Sequence, residues 1–327
     1  MNLLDLFSKP KSTKGYRLNW QPSQPDPRDL KFSARMPLAM SLPQSVDVSN
    51  IIPEVFDQGQ IGSCTGNAGA MVGLHQSRLQ NREILPSRLM LYFGARELGG
   101  STGSDEGAYI RDILKSWSKK GVCPESMWPY DESKVLTMPN EAAYEAGKST
   151  LAEAYVSLNN RVIEELKTCL AMGRPFVFGF TVYEKFMYGQ WASLMPMPKS
   201  GEAILGGHAV TCVGYDDARQ AFRIKNSWST DWKDGGYFWM PYSFITNTNY
   251  CSDFWTLQKI TPAPVPVPTP ANITSIVDLK KVFYSAKWIN CLRETEIVAI
   301  GKAMGLNTDM AKTKKENVSI VAGGLGL

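Results

Sequence analysis

Apolar positions follow two patterns along this chain, and the change falls near residue 150. Before it, they recur at helical spacing. A glycine-punctuated loop, Asp57-Gln58-Gly59-Gln60-Ile61-Gly62-Ser63-Cys64-Thr65, leads into Gly66-Asn67-Ala68-Gly69-Ala70-Met71-Val72-Gly73-Leu74. On a helix, Gly66, Gly69 and Gly73 form one stripe, each costing roughly 1 kcal/mol relative to alanine. A chain carries that cost where another backbone approaches closely, so the pattern predicts a central buried helix. Further helices are predicted from Pro86-Ser87-Arg88-Leu89 onward and over Tyr109–Trp117, the latter ending near Gly121. After a helix over Val162–Leu170 that stops at Gly173, β-branched and aromatic runs dominate: 176–182, 209–215, 221–225, 236–240 and 254–257. A helical half (about 51–150) followed by a mostly antiparallel β half (about 151–260) is an α+β arrangement. The cleft between two such lobes is the default site.

The two ends read differently. Residues 1–41 are polar, basic and proline-rich, with Tyr16, Leu18, Trp20, Leu30 and Phe32 as apolar anchors. Such a leader lies on a surface rather than folding alone. Beyond the body at 42–260, residues 261–271 alternate proline with small residues and form a semi-rigid spacer. The tail, 272–327, shows helical periodicity at Ile276, Leu279, Val282, Phe283, Ile297, Ile300 and Met304. It faintly resembles small helix–extended loop–helix modules that bind nucleic acid or protein. Lys280, Lys281, Lys287, Arg293, Lys302, Lys312, Lys314 and Lys315 outnumber its five acids, a mild polyanion signal, although a plain docking or anchoring tail explains it as well.

Composition narrows the function classes. With 327 residues, 43% hydrophobic and 11% aromatic, the chain can bury a sizeable core, and a net charge of +4 gives no strong pull toward polyanions. No run of about 18 apolar residues predicts a membrane span. At the N-terminus a short apolar run precedes the basic residues, the reverse of a secretory signal. Six scattered cysteines include no CxxC, and with only two histidines neither a metal site nor a cofactor is indicated. Most of these thiols read as free, buried small hydrophobes, which suits a reducing compartment.

A thiol at the start of the glycine-striped helix feels the helix dipole and the free N–H groups of its first turn, both of which favour thiolate. Cys64 therefore stands either as a nucleophile or as an ordinary buried cysteine. A nucleophile needs a base. His75 lies eleven residues on, about 16 Å along the same helix, and cannot reach; a packed core histidine is its reading. His208, after Gly206-Gly207, opens a strand. If that strand pairs with the one ending in Lys225-Asn226-Ser227-Trp228, His208 and Asn226 fall at one end of the sheet. The amide oxygen of Asn226 could then fix the imidazole, with Trp228 as a lid against water. Taken alone, Asn226 reads rather as a turn residue and Trp228 as ordinary core.

Together these residues resemble the papain family of cysteine peptidases: Gln58-Gly59-Gln60-Ile61-Gly62-Ser63-Cys64, then Gly207-His208-Ala209-Val210, then Lys225-Asn226-Ser227-Trp228 with Trp232 and Gly235-Gly236-Tyr237. The separations are 208 − 64 = 144 and 226 − 64 = 162, against about 130–150 usual in the family. The resemblance covers roughly residues 42–260. It implies a two-lobed fold, a helical lobe beside an antiparallel β-barrel-like lobe, and hydrolysis of a peptide or protein substrate. By the same resemblance Cys64 is the nucleophile, His208 the base and later acid, Asn226 the orienter shielded by Trp228, and Gln58 the oxyanion donor. Gly107, Gly206, Gly207 and Trp228 would contact substrate. Ile61 stands where secreted members carry a bracing cysteine, and Thr65 where an aromatic residue is usual, as in the bacterial or viral branch. The leader is too short to resemble the family's long helical prodomain, so residues 16–41 are expected in or beside the cleft as a short blocking segment. The alternative is a structural or anchoring protein, of a virus particle or its assembly, with a quiescent or self-processing peptidase body. Either setting is cytoplasmic or virion-associated.

Overall fold

The computed structural model describes residues 15–33, 41–261, 297–298, 301–302, 306–308 and 312–325. The chain divides into two compact units, Met1–Thr261 and Pro262–Leu327. In the first, the helices are α1 (Cys64–Leu79), α2 (Arg88–Gly99), α3 (Ile110–Lys120), α4 (Glu141–Gly147), α5 (Ile163–Ala171), α6 (Glu184–Tyr188) and α7 (Tyr242–Ile245). The strands are β1 (Ser45–Asp47), β2 (Ala152–Ser157), β3 (Phe176–Tyr183), β4 (Ile204–Asp216), β5 (Ala221–Lys225), β6 (Tyr237–Pro241) and β7 (Cys251–Ile260).

Helix ends follow local chemistry. The Ser87 hydroxyl accepts from the Met90 N–H and starts α2, and Gly121 closes α3. The glycine stripe of α1 serves the close approach expected of it. A Cβ on Gly66 would lie 2.6 Å from the Arg88 carbonyl oxygen of α2, and one on Gly73 would lie 2.4 Å from the Trp117 ring of α3.

The strands form one antiparallel sheet in the order β2-β7-β3-β4-β5-β6, with β1 pairing β4. The expected barrel-like closure is corrected here: among the described residues the path of strands ends at β2 and β6, which do not pair. A two-residue side-chain period gives the sheet two buried faces. Val177 and Ala209 pack toward α1, α2 and α3, while Phe176, Phe178, Phe180, Val210 and Cys212 face a second core with α5, Phe222 and Phe238. This is why β3 and β4 read as nearly continuous apolar runs.

The leader belongs to this unit. Phe32 is wholly buried in the second core, the Phe32 N–H donates to the Ser157 carbonyl (2.9 Å), and the Ser157 N–H donates to the Leu30 carbonyl (2.8 Å). Residues 30–32 thus cover the open edge of β2, whose other side pairs β7. Trp20 is also buried, but Leu30, expected as an anchor, is exposed.

In the second unit, a helix spans Lys314–Leu325. Thr313 and Glu316 cap its start reciprocally: the Glu316 N–H donates to the Thr313 hydroxyl, and the Thr313 N–H to the Glu316 carboxylate. Ile297, Val298, Val318 and Val321 are buried. The spacer at 262–271 and the periodic positions Ile276, Leu279, Val282, Phe283, Ile300 and Met304 lie outside the described residues. Among the described residues no helix is long and apolar enough to cross a membrane.

Gly73→Ala gains roughly 1 kcal/mol of helix propensity but drives a methyl into the fully buried Trp117 ring, an overpacking cost of about 1–3 kcal/mol. Overpacking wins, and thermal unfolding should show a melting temperature lower by a few degrees.

Candidate active site

Cys64 is the first residue of α1, behind Ser63 at the helix cap, and is buried. The backbone N–H groups of Ala209, Thr65 and Asn19, with its own, lie near enough to favour its anion. Ala209 follows His208 on β4, so the sulfur lies beside the strand that carries the imidazole. The Thr211 hydroxyl donates to the Ala68 carbonyl across the same contact between β4 and α1 (3.4 Å).

His208 is fully buried. Its Nε2 donates to Asn226 Oδ1 at 2.7 Å, and its Nδ1 has no hydrogen-bond partner. The anticipated pairing of β4 with β5 is present, with Thr211 opposite Lys225, and it carries Asn226 to the imidazole. Asn226 is fixed in turn: its N–H donates to the Gly236 carbonyl, and its Oδ1 also accepts the Ser227 N–H (2.8 Å). Trp228 stacks on the imidazole with ring centres 4.6 Å apart, and Phe180 meets it edge-on.

Gln58 is aimed by its neighbours. Its Oε1 accepts from the Ser227 hydroxyl (2.8 Å) and the Trp228 indole N–H (3.2 Å), which leaves Nε2 to donate to the carbonyls of Ile61 (3.1 Å) and Arg17 (3.4 Å). One tryptophan therefore covers the imidazole and orients the amide.

The leader runs across this group. Tyr16 stacks on Trp228 at 4.8 Å and donates its hydroxyl to the Trp228 carbonyl. The Trp20 N–H donates to the Gly207 carbonyl (3.0 Å), and the Gly207 N–H donates to the Leu18 carbonyl (3.3 Å), a strand-like pairing. Gly107, at φ +90°, lies against Asn19, where any Cβ would be 1.7 Å from the Asn19 carbonyl oxygen. Gly206 abuts Leu18. Of the eight residues singled out in the sequence, Cys64, Gln58, Gly107, Gly206, Gly207 and Trp228 lie against residues 16–20, while His208 stacks on Trp228 and Asn226 bonds to His208.

Asp105 was missed. It pairs with Arg17 (3.2 Å), its backbone carbonyl accepts from the Asn19 side chain (2.9 Å), and its carboxylate accepts from the Gly62 N–H and the Tyr92 hydroxyl. Ser227, which orients Gln58, was quoted only as part of a motif. Neither carries a signal that a lone sequence exposes, because each acts through partners distant along the chain.

Burial decides the charge state. The Cys64 thiol is pushed up to about 11 by desolvation, with the surrounding N–H groups opposing. Desolvation likewise lowers His208 to about 4, with the Asn226 bond opposing. The helix terminus was expected to favour thiolate. Beneath the leader, exclusion of water outweighs it and the pair is thiol and neutral imidazole. His75, also desolvated and beside Arg78, is lowered to about 4 and stays a core residue.

The profile of the papain family cysteine proteases matches residues 42–252. The chain belongs to the papain family of cysteine proteases. It is 40% identical over 217 residues to an uncharacterized peptidase C1-like protein of Acanthamoeba polyphaga mimivirus, covering 63% of this chain and 70% of that one. A cathepsin B-like protein of Giardia intestinalis is 31% identical over 210 residues, covering 61% and 67%. The crystal structure of xylellain, a cysteine protease from Xylella fastidiosa, superposes with a TM-score of 0.71 at 36% identity, covering 76% of this chain and 98% of that one. As a papain-family member the chain is a cysteine peptidase, a hydrolase. The missing brace agrees with the geometry: Cys64, Cys123, Cys169, Cys212 and Cys251 are free and buried, and Ile61 packs into the core of α1 instead. The residues described hold no cluster with metal-ligand geometry.

A thiol held at about 11 is almost wholly protonated at neutral pH. Peptide mapping after iodoacetamide treatment of the full chain at pH 7 should therefore show Cys64 alkylated more slowly than a free cysteine. The rate should climb only as pH rises well above the ordinary thiol range near 8.5.

Proposed function

We propose that this protein is a cysteine endopeptidase working through Cys64, His208, Asn226 and Gln58, held inactive by its own leader. The observation that carries this reading is the path of residues 16–20, which lie over the thiol with Asn19, Leu18 and Trp20 bonded to the groove where a peptide would pair. With the leader lifted, water reaches the site and the desolvation that separates the two pKa values relaxes. Thiol and imidazole then approach the thiolate–imidazolium pair that reacts.

In the reaction, Sγ of Cys64 attacks the carbonyl carbon of a substrate peptide while His208 holds the proton at Nδ1, the nitrogen left free by Asn226. The oxyanion takes hydrogen bonds from Gln58 Nε2 and the Cys64 N–H. His208 gives its proton to the departing amine as the C–N bond breaks, leaving an acyl thioester. Water then attacks that ester with His208 as base, releasing the acid and restoring the thiol.

The chain's organisation fits this use: leader 1–41, peptidase body 42–260, spacer 261–271, and a tail 272–327 that takes a protein or nucleic-acid partner. A second reading is favoured by the burial of Cys64: a quiescent peptidase body carried by an anchoring tail. The mimivirus relative supports a virion-associated or cytoplasmic setting for either.

Removal of residues 1–23, which spares Phe32, should raise hydrolysis of a fluorogenic peptide library at least tenfold over the full chain, by order of magnitude. Unchanged turnover would count against the blocking role. Gln58→Ala in the shortened protein should lower kcat by roughly 10²–10³-fold with KM less affected. An epoxide thiol trap should label the shortened protein and spare Cys64→Ala; a shortened protein that is never labelled favours the quiescent body.

A further inference from the structure

Gln58 Nε2 and the Cys64 N–H, the two oxyanion donors of the proposed reaction, belong to opposite ends of one loop. Gly59 and Gly62 lie between them, and Gly59 takes φ at +61°. Glycines widen the range a loop explores, whereas two donors to one oxygen work only at a fixed spacing. No disulfide braces the loop, because Cys64 is free. Along its middle, backbone N–H groups end on carboxylates: Gly59 on Asp57 (2.9 Å), Gln60 on Glu132 (2.7 Å) and Gly62 on Asp105 (3.0 Å).

The two ends meet on a phenol. The Tyr130 hydroxyl donates to the Gln58 carbonyl (2.7 Å) and, with its one proton so placed, accepts from the Ser63 hydroxyl. Ser63 immediately precedes Cys64, and both Ser63 and Gln58 are wholly buried. Nδ2 of Asn67 donates in turn to the Ser63 hydroxyl (3.0 Å). Donation therefore runs one way, from Asn67 through Ser63 and Tyr130 to the backbone of Gln58, and such chains strengthen one another away from water.

Arg88 fixes the direction. Its guanidinium lies 4.0 Å from the centre of the Tyr130 ring and donates to Asn67 Oδ1 (3.3 Å), while Glu125 holds its Nε (2.9 Å) and Nη2 (2.7 Å). A guanidinium only donates, so Asn67 turns its oxygen to Arg88 and its NH₂ to Ser63. Burial pushes the Tyr130 phenol up to about 12, with Ser63 and Asn67 opposing, so the proton given to Gln58 stays on Tyr130 at neutral pH.

We propose that Tyr130 is a positioning residue of the peptidase, its hydroxyl tying Gln58 to Ser63 and so setting the separation of the two oxyanion donors. It acts through Gln58 and the Cys64 N–H rather than on the substrate. This rests on the peptidase reading above.

The test starts from the full chain carrying Trp20→Ala, which removes a buried leader ring from the groove. A leader that still competes raises KM and leaves kcat, so kcat is the quantity compared. Tyr130→Phe keeps the ring under Arg88 and removes only the hydroxyl. Ser63→Ala opens the same link from the other side, and the Ser63 side chain caps no N–H of α1. Each should lower kcat about tenfold with KM little changed. Epoxide labelling of Cys64, which forms no carbonyl oxyanion, should keep its rate. Added to Gln58→Ala, where one donor is already gone, Tyr130→Phe should cost less than about twofold more.

A kcat that holds in folded Tyr130→Phe overturns the proposal. So does a labelling rate that falls in step with kcat, or the full loss recurring on top of Gln58→Ala, since either assigns Tyr130 to general packing of the site. If Tyr130→Phe does not fold, Ser63→Ala decides by the same measures; if neither folds, the hydroxyls serve stability and the proposal falls. A Trp20→Ala chain that cuts no peptide of a fluorogenic library sinks the peptidase reading, and this proposal with it, before any variant is compared.

Discussion

The packing of α1 on β4 is the contact on which the rest of the first unit depends. It brings a thiol at a helix start beside the strand that carries an imidazole 144 positions later (208 − 64), with the Ala209 N–H near enough to favour the anion. The contact is close because α1 is glycine-striped toward α2 and α3, so the helix can be pressed between its neighbours and the sheet. Each glycine weakens the isolated helix, and tertiary burial makes up the difference. Asn226 and Gln58 are then set by short-range bonds along the β5 exit, Gln58 through Ser227 and Trp228.

Two opposing effects act on the thiol, and their balance turns on water. The helix start and four N–H groups pull toward the anion; enclosure pushes the other way and prevails under the leader. In the proposed autoinhibited reading, the same side chains support a resting and a reactive state without any change in covalent structure. Trp228 contacts both the imidazole and Tyr16 of the leader.

Much of this was legible in the amino acids. Cys64, His208, Asn226 and Gln58 are proposed together because three short motifs resemble the papain family, and the helical half and the principal strands follow from periodicity. The open sheet does not. Barrel closure is a property of which edges pair, and β1 (Ser45–Asp47) and β2 (Ala152–Ser157) are short and lack the strong apolar runs that marked the others. Asp105 was invisible for a related reason. A carboxylate in a glycine-rich loop is ordinary in sequence, and only the partners that converge on it in space mark it out.

Phe32 settles a different matter. Its ring is sealed inside the second core and its backbone is zipped to Ser157, so the segment over Cys64 is anchored close to where it sits. A ligand on so short a leash has an effective molarity in the millimolar range, fixed by geometry rather than by dosage. Where the leader blocks the groove as proposed, diluting the protein does not dislodge it, and an incoming peptide competes against a rival whose concentration never falls.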